Sequence, residues 1–190
     1  MKLILLRHGK TVANENRLYC GSTDIGLSHE GVRELEQLKK TTTYPDVSDI
    51  RIITSGMKRC EETLRILFGD IVHEIDPAFR EMDFGRFEMH SYEDLKSDSL
   101  YLEWIDGDNE KNTAPDGESG IHMRERVLAG LERITESGRD TMLVTHGGVI
   151  AVITAFLFPE ENRNRYEWQP ACGCGYLIDL ANRRYTVLQP

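Results

Sequence analysis

The chain alternates short, uninterrupted apolar runs with longer segments in which apolar residues recur every three or four positions. Short apolar runs are typical of strands that are buried on both faces of a sheet. The runs that fit this pattern are 2–7, 50–54, 71–75, 141–145, 175–180 and 184–188. Only residues 181–183 join the last two, and so short a connection predicts an antiparallel hairpin.

Amphipathic segments with helical spacing lie between these runs. Helices are predicted after Ser28 as an N-cap, over 58–68, after Ser119, and over 149–158. Residues 80–118 carry Gly, Asp, Asn and Pro among short helical patterns, and we expect them to run over the top of the sheet. Alternation of strand and helix predicts an α/β sandwich with a mainly parallel sheet, in a single domain over 1–190.

The composition of the chain argues against some classes of binding partner. A net charge of −9 argues against a general nucleic-acid surface, although a local arginine cluster is enough for a small anion. No apolar run approaches the roughly 20 residues that span a bilayer, and the N-terminal run is too short for a signal peptide. We therefore expect a cytoplasmic protein that does not bind a membrane, with its four cysteines as free thiols.

Polar side chains follow three of the predicted strands. The first strand ends in Arg7-His8-Gly9, the second is followed by Arg59 after one helical turn, and the fourth ends in His146-Gly147-Gly148. Because ligands of open α/β sheets bind at the carboxyl ends of the strands, these groups should meet at one edge. Guanidinium groups and glycine amides at a helix start suit an anionic tetrahedral group, so the sequence predicts a phosphoryl site.

Phosphoryl transfer requires a nucleophile and a proton donor. A histidine held in line with phosphorus by packing serves as nucleophile, and nearby arginines keep its ring neutral. Glu81 starts the excursion that should overhang the sheet edge, which makes it the best candidate for the proton donor.

The chain also resembles the histidine phosphatase superfamily, which includes the phosphoglycerate mutases. Similarity runs over essentially the whole chain, with the family's motifs in the right order. The matching stretches are LLRHGKT, VANENRLYCGSTDIGLSHEGVREL, TSGMKRCEETLRIL, REMDFGRFEM, APDGES and VTHGG. Lys10 departs from the family pattern, which has an acidic residue or Gln there. Within the family the likeness is greatest to the α-ribazole phosphatases.

The resemblance implies a three-layer α/β/α sandwich of phosphoglycerate mutase type and a reaction that needs neither metal nor other cofactor. His8 would become phosphohistidine, while Arg7, Arg59 and His146 would bind the phosphoryl group. Glu81 would act as general acid and then as general base. The residues expected to contact substrate are Asn14, Gly21, Ser22, Thr23 and Gly147.

The leading hypothesis is a metal-independent phosphomonoesterase that acts on a small phosphorylated metabolite, with α-ribazole phosphate as one candidate. A phosphoglycerate mutase is the alternative within the family; the short chain favours hydrolysis. A catalytically silent module that binds phosphorylated ligands is the alternative from another class, and it would be expected to lack His8 or Glu81. The sequence leaves both a monomer and a homodimer open.

Overall fold

Strands and helices alternate in the computed structural model, which describes residues 1–108 and 110–190. The strands are β1 (Lys2–Arg7), β2 (Arg51–Thr54), β3 (Glu74–Ile75), β4 (Thr141–Thr145), β5 (Gly175–Asp179) and β6 (Arg184–Leu188). The helices are α1 (Val12–Glu15), α2 (His29–Thr41), α3 (Lys58–Phe68), α4 (Tyr92–Leu95), α5 (Ser99–Ile105), α6 (Gly120–Glu136) and α7 (Gly147–Leu157).

In the described part of the chain, the strands form one six-stranded sheet in the order β3-β2-β4-β1-β5-β6. The pairs β1–β4, β4–β2 and β2–β3 are parallel, whereas β5 runs antiparallel to both of its neighbours. The predicted mainly parallel sheet and its terminal hairpin are therefore confirmed.

Side chains of the inner strands alternate between two cores, one on each face of the sheet. Leu3 and Leu5 pack with residues of α6 and α7, whereas Ile4 and Leu6 pack with residues of α2 and α3. The architecture is thus the predicted three-layer α/β/α sandwich. Ser28 and Ser119 cap α2 and α6 as expected, because each side chain accepts a hydrogen bond from an amide of the first turn.

The strand predicted over 71–75 is wrong in extent, since only Glu74 and Ile75 pair with β2. Val72 is 97% exposed, and the His73 ring bonds to the Ile71 carbonyl and the Glu61 carboxylate. These local contacts hold residues 71–73 away from the sheet edge. The loop predicted after β1 also contains the single-turn helix α1, which a Thr11–Asn14 capping box stabilises.

None of the helices in the described residues is both long and apolar enough to cross a bilayer.

Candidate active site

The carboxyl ends of β1, β2 and β4 meet at one edge of the sheet. Parallel register places Arg7 beside Thr145, and Thr54 beside Val144. The residues that follow these strand ends therefore lie close together. The His8 and His146 rings are in edge-to-face contact, with centroids 5.2 Å apart. The structure thus brings together the two histidines that the sequence placed at this edge.

His8 is only 5% exposed, and one of its ring nitrogens is committed to its own turn. Its Nδ1–H donates to the Gly9 carbonyl over 2.6 Å. Burial lowers the pKa of His8 well below its usual range, and the charges of Arg59 and Arg7 lower it further. A neutral ring with its proton on Nδ1 leaves a lone pair on Nε2. No hydrogen bond from a described residue reaches this Nε2.

His146 is fully buried, and both of its ring nitrogens have partners. Its Nδ1 accepts a hydrogen bond from Arg59 Nε over 3.2 Å, so its Nε2 carries the proton and donates to Ser55 Oγ over 2.9 Å. Burial lowers the pKa of His146 well below its usual range, with further lowering by Arg59 and His8. His146 therefore holds a neutral tautomer opposite to that of His8.

Arg7 lies against the start of α7. Its Nη1 donates to the Pro170 carbonyl over 2.7 Å, whereas its buried Nε finds no acceptor among the described residues. A Cβ at Gly147 would lie 3.1 Å from Arg7 Cζ, so glycine lets the guanidinium approach the first turn of the helix. A donor without an acceptor at this position is suited to an anionic ligand.

Glu81 also contacts the start of α7. Its Oε2 accepts the Gly148 N–H over 2.9 Å, and its Oε1 accepts the Met82 N–H over 3.0 Å. In this structure Glu81 thus occupies the Gly148 amide, and the expected contact of the glycine amides with an anion stays a prediction. A Cβ at Gly148 would lie 2.3 Å from Glu81 Oε1, so the glycine makes the contact possible.

Asn14 lies in the first turn after the β1 loop. Its Oδ1 accepts hydrogen bonds from both the backbone N–H and the hydroxyl of Thr11, each over 3.0 Å. These bonds fix the plane of the Asn14 side-chain amide.

One pocket of about 280 Å³ is lined by Arg7, Asn14, Glu81 and Gly148. Lys10, in contrast, forms an ion pair with Glu34.

Gly21, Ser22 and Thr23 do not line this pocket. Their backbone amides point to the Glu88 carboxylate, and the Ser22 hydroxyl donates to Asp83. Their expected contact with substrate stays a prediction. The sequence pattern indicated no role for Glu88, although the residue lies in the REMDFGRFEM motif. Its amide partners in residues 21–23 lie 65 to 67 positions away, where no local pattern indicates a contact.

The rest of the pocket wall is largely aromatic and apolar. It comprises Leu18, Tyr19, Cys20, Met82, Phe84, Trp104, Ile105, Arg165, Tyr166 and Gln169. Tyr19, Phe84 and Trp104 pack against one another with ring centroids 5.1 to 6.1 Å apart. This wall is formed by the loop after α1, by the 80–118 excursion and by residues 165–169 after α7. The excursion therefore covers the sheet edge as expected. Most of the wall is suited to an apolar group attached to the phosphoryl group.

The family model of the histidine phosphatase superfamily (branch 1) matches residues 3–189, and the chain belongs to this family. The adenosylcobalamin/alpha-ribazole phosphatase of Escherichia coli K12 is 28% identical over 195 residues, an alignment that covers 100% of this chain and 94% of that protein.

Solved structures of similar fold include other phosphatases and mutases. The alpha-ribazole phosphatase of Shigella flexneri matches with a TM-score of 0.83 and 28% identity, covering 100% of this chain and 96% of that one. A phosphoglycerate mutase of Thermus thermophilus matches with a TM-score of 0.75 and 27% identity, covering 100% and 99%. The fold is therefore phosphoglycerate mutase-like, and the family and relatives together indicate a phosphatase enzyme.

Proposed function

We propose that the chain is a phosphomonoesterase that hydrolyses a small phosphorylated metabolite through a phosphohistidine at His8. The observation that carries this proposal is the state of His8. Burial and the charges of Arg59 and Arg7 lower its pKa and favour the neutral ring, its Nδ1–H is held by the Gly9 carbonyl, and its Nε2 has no hydrogen-bond partner among the described residues. A nitrogen lone pair fixed beside an anion-binding pair of arginines is what attack on phosphorus requires.

In the first step, His8 Nε2 attacks the phosphorus while the bond to the ester oxygen breaks. The Glu81 carboxyl gives its proton to the departing alcohol. In the second step, water attacks the phosphohistidine, Glu81 takes a proton from that water, and the P–N bond breaks to release phosphate. Arg7 and Arg59 hold the phosphoryl oxygens, with the Asn14 amide and the Gly147 backbone beside them. His146, whose two ring nitrogens are bound to Arg59 and Ser55, orients the Arg59 guanidinium.

For the substrate we propose a phosphate ester with an aromatic or apolar group, of which α-ribazole phosphate is the leading candidate. Two relatives are named as alpha-ribazole phosphatases, and the pocket wall offers Tyr19, Trp104 and Tyr166 to a flat ring. Chain length does not separate this proposal from a mutase, because the Thermus phosphoglycerate mutase aligns over 99% of its length.

A comparison of substrates tests the proposal. We expect kcat/KM for α-ribazole phosphate to exceed that for 3-phosphoglycerate, and turnover to persist in excess EDTA. Faster transfer between phosphoglycerate isomers than hydrolysis would favour the mutase. A strict requirement for added metal would contradict the proposed mechanism.

Tyr166→Ala should raise KM for α-ribazole phosphate by about tenfold, since stacking on an aromatic side chain contributes roughly 1–3 kcal/mol per base. The KM for 3-phosphoglycerate should not change. Tyr166 is 65% exposed, so its truncation should spare the fold. Tyr92, which is 53% exposed and does not line the pocket, supplies the matched control Tyr92→Ala. Equal effects on both substrates would argue against an aromatic subsite.

A further inference from the structure

Residues 21–23, here called the Gly21 loop, are tied to a single carboxylate. Glu88 Oε1 accepts the N–H groups of Gly21 and Ser22 over 2.9 and 3.0 Å, and that of Phe84 over 3.0 Å. Glu88 Oε2 accepts the N–H and the hydroxyl of Thr23 over 3.2 and 2.6 Å. One side chain thus collects hydrogen bonds from three consecutive residues of the loop.

The same loop holds Arg59 from its opposite side. The Gly21 carbonyl accepts from Arg59 Nη2 over 2.7 Å, and the Thr23 carbonyl accepts from Nη1 over 3.0 Å. With Nε bound to His146, all three nitrogens of this 1%-exposed guanidinium have fixed partners. Because a guanidinium has five N–H donors, two of them remain for phosphoryl oxygens.

Glu88 and Arg59 act on the same peptide plane. In a trans peptide, the carbonyl of one residue and the N–H of the next point in opposite directions. Glu88 binds the Ser22 N–H, so the Gly21 carbonyl of that peptide is directed toward Arg59. The Gly21 loop packs directly against the backbone of Met82: a Cβ at Gly21 would lie 1.5 Å from the Met82 carbonyl oxygen. The loop therefore has no room to shift in that direction.

We propose that Glu88 is a positioning residue that sets the Arg59 guanidinium for phosphoryl binding, through the peptide planes of the Gly21 loop. This inference rests on the proposed function. Glu88 contributes no contact to the reacting atoms; it directs the carbonyls that orient Arg59. The REMDFGRFEM motif is thereby connected to Arg59, the arginine after β2.

Glu88→Gln tests this role with a nearly isosteric change. An amide retains one acceptor oxygen but presents an NH2 group to loop donors, so part of the loop must turn. We expect orthovanadate, measured by titration calorimetry, to bind about 10- to 100-fold more weakly, because small misplacement of a positioned group carries penalties of this order. In assays with p-nitrophenyl phosphate, kcat/KM should fall to a similar extent.

Glu62→Gln is the matched control. Glu62 Oε2 accepts the Leu27 N–H over 2.7 Å, so it ties the same connection between α1 and α2 without contacting the Gly21 loop. We expect this variant to bind orthovanadate as the wild type does. Equal weakening in both variants would show that Glu88 only stabilises the connection, and would overturn the proposal.

A double-mutant cycle with Arg59→Lys gives the sharper readout. If Glu88 acts through the guanidinium, Glu88→Gln should weaken orthovanadate binding much less in the Arg59→Lys background than in the wild type. Full additivity would overturn the proposal. Calorimetry also separates the two hypotheses: a wild type that binds orthovanadate without hydrolysing any ester would contradict the proposed function alone.

Thr23→Val provides a second test of the positioning role if the Glu88→Gln variant fails to fold. It removes only the hydroxyl that donates to Glu88 over 2.6 Å. Loss of one hydrogen bond of about 1 kcal/mol should weaken orthovanadate binding roughly fivefold, again less so in the Arg59→Lys background. Binding equal to that of the wild type would count against the positioning role.

Discussion

The turns after β1 and β4 carry the same His-Gly pair at the same sheet edge, yet the structure gives the two histidines different environments. Both rings are buried and have a strongly lowered pKa. His8 uses one nitrogen on its own turn and leaves the other open, whereas both nitrogens of His146 are occupied by Ser55 and Arg59. Position in the sheet is shared; the hydrogen-bond partners differ.

This difference assigns the two rings different chemistry. A nucleophile needs a free lone pair, which only His8 has, and a ring held at both nitrogens is better suited to orienting its neighbours. The partners of His146 come from residues 87 and 91 positions away. Equivalent local sequence therefore leads to unequal roles, because the surrounding elements decide which nitrogen carries the proton.

Among variants that distinguish His8 from His146, His8→Ala should have the largest effect on activity. We expect kcat to fall by at least about 10⁴-fold, as is typical when a covalent nucleophile is removed. The acid-labile phosphoenzyme should disappear with it, as measured by rapid quench with labelled substrate. Near-normal turnover in this variant would remove His8 as the nucleophile.

His146→Ala should have a smaller effect of a different kind. His146 orients the Arg59 guanidinium, and loss of a group on which transition-state stabilisation depends lowers kcat by about 10²- to 10³-fold. The phosphoenzyme should still form on His8, only more slowly, in the same quench experiment. If His146→Ala abolished phosphoenzyme and His8→Ala did not, the assignment of the two rings would be reversed.

Ser55→Ala tests how the tautomer of His146 is held. It removes the acceptor of the Nε2–H, so we expect kcat to fall by about tenfold, within the range typical of groups that orient an active-site histidine. Cys60→Ala is the control: its thiol lies 3.7 Å from His146 Nε2, and burial raises its pKa to about 12. Equal losses of kcat in the two variants would argue for a packing effect.

The free energy of unfolding should depend on pH because both histidine rings are buried in the neutral form. Above pH 6.5 the histidines are neutral whether folded or unfolded. As the pH falls through 6.5, both histidines bind protons in the unfolded chain but stay neutral in the folded protein, because their folded-state pKa values are lowered. The free energy of unfolding therefore decreases until the pH reaches those lowered pKa values. Between pH 6.5 and about 5.5 each ring should contribute roughly 1 kcal/mol of loss.

Urea denaturation at these two pH values measures this loss. His8→Asn and His146→Asn should each reduce the pH dependence by one ring's contribution. An unchanged dependence in both variants would contradict burial of neutral rings as its cause.

Much of the fold could be predicted because its signals are local. Apolar runs marked β1, β2 and β4, serine caps marked the starts of α2 and α6, and the short connection marked the terminal hairpin. The third strand was predicted too long, since Val72 is apolar but has no neighbouring strand to pack against. An apolar run at a sheet edge does not show how far pairing extends.

The candidate site was predicted less evenly. Arg7, His8, Arg59, Glu81 and His146 were found because strand ends and motif order indicate them, and the structure brings them to one edge. Glu88 was not, because its partners are backbone amides, which carry no residue-specific signal in the sequence. The hydrogen bond between the Gly148 amide and Glu81 was not predicted for the same reason.

The sequence by itself determined the layered α/β architecture and which side chains gather at the sheet edge, since both depend on hydrophobic periodicity and strand ends. Only the tertiary structure decided the proton position on each ring, the partners of Arg59 and the aromatic wall of the pocket. Those features depend on contacts between residues far apart in the chain. Hydrogen-bond direction and burial, which exist only once the chain is packed, distinguish His8 from His146.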